Sequence, residues 1–71
     1  MIYAINEAIN KRIRADKISD SQLKFTLEIK LFGDNYFIRA EETNSKELVN
    51  KWIKDKSLIL TPEAKTYFPE I

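Results

Sequence analysis

Leu23-Lys24-Phe25-Thr26-Leu27-Glu28-Ile29-Lys30-Leu31 alternates apolar and polar side chains with a period of two. Successive side chains on a strand point to opposite faces, so this pattern predicts a half-buried β-strand with Leu23, Phe25, Leu27, Ile29 and Leu31 turned inward. Phe32-Gly33-Asp34-Asn35 follows, and Tyr36 to Glu41 reads as a returning antiparallel strand. Two turns compete for this hairpin. With Asp34-Asn35 in the turn, Lys30 faces Arg39 and Glu28 faces Glu41, two like-charge pairs. With Gly33-Asp34 in the turn, glycine takes the first position of a type II′ turn and Glu28 faces Arg39. The second register is therefore expected, pairing Leu31 with Tyr36, Ile29 with Ile38, Leu27 with Ala40 and Lys30 with Phe37.

Upstream, Ile2, Ile5, Ile9 and Ile13 recur at spacings of three and four, which predicts an amphipathic helix over about residues 2–15. Ser19-Asp20-Ser21 then supplies a turn. Downstream, Asn44 or Ser45 can cap a helix over 46–56 whose stripe is Leu48, Val49, Trp52 and Ile53. Trp52 lies inside that stripe and is expected in the core. Residues 57–60 read as a short strand. Thr61-Pro62-Glu63 is a helix-start signal, with Ala64, Tyr67 and Phe68 on one face and Pro69 as the stop; a hairpin strand over 65–68 is the alternative. The expected fold is α+β in two layers: helix, hairpin, helix, short strand and short helix, with the helices packed on one face of a small antiparallel sheet.

The chain has 71 residues, enough for one domain over 1–71 and one core. A chain of this size buries only about 60% of its unfolded surface, so dense packing or self-association has to supplement the core. Cysteine and histidine are absent. That removes disulfides, thiolate and imidazole metal sites, and the common nucleophile–base pairs. One glycine, Gly33, cannot build a phosphate-cradling loop. Glu41 and Glu42 are adjacent on a strand and point apart. Asp16 and Asp20 together are too few acids for a hard-cation site. No enzyme activity, cofactor or metal is expected. The first residues lack the basic and then apolar pattern of a secretory leader, and no segment approaches the ~20 apolar residues of a membrane span, so a cytoplasmic protein is expected.

Net charge is +1, so any binding preference must be local. In the expected register Phe32 and Phe37 project from the outer face of the hairpin beside Lys24, Lys30 and Arg39. Three uses fit: burial under the C-terminal segment, a protein or dimer interface, or stacking of single-stranded nucleic acid. The basic cluster Lys11, Arg12, Arg14 and Lys17 offers a second contact, although such clusters are commonly solvated helix surface. The expected function is a non-enzymatic interaction module that pairs with itself or with another protein through the hairpin's outer face or an edge strand, with Phe32, Phe37, Tyr67 and Phe68 the large side chains left over for a symmetric dimer. A nucleic-acid-binding module is the alternative.

Overall fold

The computed structural model describes residues 1–20, 22–33 and 35–67. Expectations for Ser21, Asp34, Phe68 and Pro69, and for the side chain of Tyr67, lie outside the described residues.

The N-terminal helix is not present. Strands β1 (Ile2–Asn6) and β2 (Lys11–Ser19) take its place, joined by a 3₁₀ turn at Glu7–Ile9. Two asparagines reverse the chain. Asn6 accepts a hydrogen bond on its side-chain oxygen from the Ala8 N–H at 3.1 Å, and Asn10 adopts the left-handed conformation at φ 54°, which asparagine tolerates better than most residues. The four isoleucines share no stripe: Ile13 is fully buried whereas Ile9 is 44% exposed. Their branched Cβ atoms suit a pleated sheet.

Strand β3 (Gln22–Ile29) follows a hairpin in which Ser19 pairs with Gln22, so the expected turn joins two strands. Strand β4 (Ile38–Thr43) pairs with β3 and sets Glu28 opposite Arg39 and Ile29 opposite Ile38, the preferred register. The hairpin departs from expectation at both ends. The strands stop at Ile29 and Ile38, so residues 30–33 and 35–37 lie outside them, the connection is longer than a two-residue turn, and the Leu31–Tyr36 and Lys30–Phe37 pairs do not form. Gly33 sits at φ +87°, a conformation that glycine adopts without Cβ strain. Farther down, Leu27 faces Glu41 because the register shifts after Glu28, leaving Ala40 as a bulge.

Helix α1 (Lys46–Asp55) is capped by Ser45, whose hydroxyl accepts from the Leu48 N–H at 3.3 Å. It ends with the Leu58 N–H donating to the Ile53 carbonyl at 2.9 Å and Ser57 at φ 54°, a Schellman-type stop. Strand β5 (Ile59–Leu60) returns to pair with β1. Thr61 starts α2 (Pro62–Tyr67): its hydroxyl accepts from the Ala64 N–H at 3.1 Å and donates to the Ile2 carbonyl at 2.6 Å. The residues 62–67 are thus helical, not a hairpin strand.

The fold is a five-stranded antiparallel sheet in the order β4-β3-β2-β1-β5. Among the described residues only α1 exceeds two turns of helix. The helix–hairpin–helix architecture is thereby corrected: the sheet is the bulk of the molecule. One core holds Tyr3, Ala4, Ile13, Ala15, Phe25 and Leu27 from the sheet together with Val49, Trp52, Leu58 and Ala64. Tyr3 and Phe25 meet edge to face at 5.1 Å. Among the described residues no helix is long and apolar enough to cross a membrane.

Candidate functional site

Alternation along β2 and β3 buries Ile13, Ala15, Phe25 and Leu27 and sends Arg12, Arg14, Asp16, Lys24, Thr26 and Glu28 to the opposite face. From β4, Arg39 stands opposite Glu28 and Glu42 opposite Thr26. These two residues are three apart and share a face only because Ala40 is bulged between them. A shallow depression results, lined by Arg14, Asp16, Lys24, Thr26, Glu28, Arg39 and Glu42.

Its charges are neutralised in pairs. Arg12 Nε donates to Glu28 Oε1 at 2.7 Å, and Arg14 Nε meets Asp16 Oδ1 at 3.4 Å. Glu42 Oε1 takes both Arg39 Nη1 at 2.6 Å and Lys24 Nζ at 3.7 Å. The hydrogen bond from Arg39 holds the Glu42 carboxyl below its ordinary pKa; the charges of Arg39 and Lys24 add to this, while partial desolvation works against it. Each acid therefore serves as a counter-ion. Among the described residues no three metal-ligating side chains gather, and Asp16 and Asp20 are engaged by separate cations, Asp20 by Lys17 at 3.7 Å.

At one end of this face the loop 30–37 begins and ends. The Arg12 guanidinium carbon lies 3.9 Å from the Phe37 ring centroid, and Lys30 Nζ lies 5.4 Å from it. The Lys30 N–H donates to the Asn10 carbonyl at 2.9 Å. The loop base is tied to the sheet, and its tip is not: Phe32 is fully exposed, Tyr36 is 66% exposed and Leu31 51%. Ile38 follows at the start of β4, which is the edge strand.

Phe32 and Phe37, expected side by side, are thus separated: Phe37 packs under Arg12 and Phe32 stands in the loop. Lys24 and Arg39 converge on Glu42, and Lys30 lies beside Phe37. The cluster Lys11, Arg12, Arg14 and Lys17 is split by the strand, with Arg12 and Arg14 on the charged face and Lys11 and Lys17 at the alternating positions opposite Ile29 and Leu23. Leu31 and Tyr36, expected on the inner face, are instead exposed. The signal against that assignment was the density of turn formers, with Gly33, Asp34 and Asn35 in a row.

No family model matches the chain, and no curated protein or solved structure matches it either.

Proposed function

We propose that this chain is a non-catalytic protein-docking module that engages its partner with the loop 30–37 and the adjoining edge of β4. The observation that carries this reading is the joint exposure of Leu31, Phe32 and Tyr36 on one loop. Exposing large apolar side chains together is unfavourable for an isolated soluble domain, and aromatic side chains are the commonest interface anchors. The loop base supports the same use, because the Arg12–Phe37 stack and the Lys30–Asn10 hydrogen bond lower the entropy lost on docking. A cytoplasmic setting belongs to this reading, since a chain without cysteine gains nothing from an oxidising compartment.

The nucleic-acid alternative has less support. Arg12, Arg14, Lys24 and Arg39 are all engaged by acids, and Phe37 has a guanidinium over its ring where a base would stack. A pull-down from the native host with wild type and Phe32→Asp tests the reading. The expected result is a protein retained by wild type and lost with the variant, reproduced with the purified components. Retention of nucleic acid that weakens steeply with salt would contradict it.

A further inference from the structure

Arg39 and Glu42 lie on the same face of an edge strand whose outward side pairs with no strand among the described residues. We propose that the partner is a second copy of this chain, joined β4 to β4 in antiparallel fashion about a two-fold axis between Ala40 and Glu41, so that Arg39 of each copy meets Glu42 of the other. This rests on the docking reading above and names its partner.

The bulge makes the register specific. A regular antiparallel strand keeps one residue between successive side chains on a face, whereas β4 keeps two, Ala40 and Glu41, between Arg39 and Glu42. Pairing with a regular strand would put one half of the contact out of phase. That mismatch is how bulges ordinarily protect sheet edges. A second copy carries the same phase break, and with the axis between residues 40 and 41 the two breaks coincide. Arg39 then faces Glu42 on the charged side, and Ile38 faces Thr43 on the other side, where their β3 partners are Ile29 and Phe25.

Neighbouring registers fail on charge or phase. An axis through Glu41 sets that acid against its own copy, and one through Ala40 opposes residues of different faces. The intrachain Arg39–Glu42 contact at 2.6 Å is replaced across the axis by the same pair of side chains, so pairing exchanges like contacts for like.

Interface area also favours the combined surface. Aromatic side chains bury roughly 150–250 Å² each, and with Tyr36 and Leu31 already partly covered the three side chains of one copy fall short of the ~800 Å² that each partner gives to a stable interface. Pairing of β4 adds backbone hydrogen bonds. It also carries the loop of each copy alongside residues 44–48 of the other, where Leu48 is partly exposed.

Sedimentation equilibrium of wild type, Arg39→Glu and Glu42→Arg provides the test, with circular dichroism to establish that each is folded. Wild type is expected to dimerise at high micromolar concentration, and each variant to dimerise at least about tenfold more weakly, since like charges then meet twice. Mixing the two variants restores every Arg–Glu pair across the axis, so a heterodimer of wild-type strength is expected. A monomeric wild type overturns the inference while leaving the docking reading to stand or fall with Phe32→Asp. Variants that dimerise as wild type does, or a mixture that stays monomeric, overturn the register.

Discussion

Arg12 bridges Glu28 and the loop: its Nε donates to the carboxylate directly opposite on β3 at 2.7 Å while its guanidinium covers the Phe37 ring at 3.9 Å. One side chain thereby fastens the root of the exposed loop to the middle of the sheet. Both members of the ion pair are mostly shielded from water, which raises the worth of a charged hydrogen bond above that of a surface pair.

Arg12→Ala is accordingly expected to lower stability by about 1–3 kcal/mol in urea denaturation. Arg12→Lys recovers only part, because an ammonium lacks the planar group that stacks on Phe37 while bonding Glu28. Equal stability of Arg12→Lys and wild type would show that stacking contributes nothing.

Ile9 and Ile13 separate the sheet from a helical N-terminus. On an amphipathic helix they would share one buried stripe, but here Ile13 is fully buried and Ile9 largely outside the core. Ile13→Ala is expected to cost about 2–5 kcal/mol, a large fraction of the stability of so small a domain. Ile9→Ala should stay within about 0.5 kcal/mol of wild type. Similar losses at both positions would contradict the strand assignment.

That contrast also explains what was legible. Strand β3 followed from unbroken alternation, α1 from Leu48, Val49, Trp52 and Ile53, and α2 from Thr61-Pro62-Glu63. The first two strands were hidden by a bulge. The β1–β2 register shifts between Ile2 and Ala4, so Ile2 lies opposite Arg14 and Ile5 opposite Arg12, and two residues three apart share one face. A bulge thus reproduces the first step of helical spacing. The same geometry at Ala40 places Arg39 beside Glu42, which strict alternation forbids. Of the candidate site, the Glu28–Arg39 register could be read from charge, but the length of the loop could not. Charge pairing discriminates between registers but carries no information on loop length, whereas the row Gly33-Asp34-Asn35 disfavours strand across all three positions.

Ser57 holds a left-handed conformation after α1, where glycine carries no Cβ penalty. Ser57→Gly should raise stability by about 0.5–1 kcal/mol. A thermal melt would register this as an increase of several degrees. The Asn6 amide donates to the Ser57 backbone carbonyl at 3.2 Å, a contact the substitution retains. A lower melting temperature would contradict the geometry.

The Glu42 carboxyl titrates below its ordinary value, chiefly through its hydrogen bond to Arg39. Because the folded-state pKa is the lower one, the contribution to stability is fully present above the unfolded value and is lost as pH falls through the folded value. It should also shrink with salt, since the pair is exposed. Arg39→Ala is expected to raise the Glu42 pKa toward the ordinary glutamate value in a carboxyl NMR titration. An unchanged titration would show that Arg39 is not its main partner.

Self-association through the exposed loop and the β4 edge is tested residue by residue by amide chemical shifts followed over a dilution series. Concentration-dependent shifts are expected to cluster at residues 31–33, 35–43 and the first turn of α1, and to weaken sharply in Arg39→Glu. Shifts centred instead on the opposite edge, around Ile5 and the exposed Ile59, would contradict it.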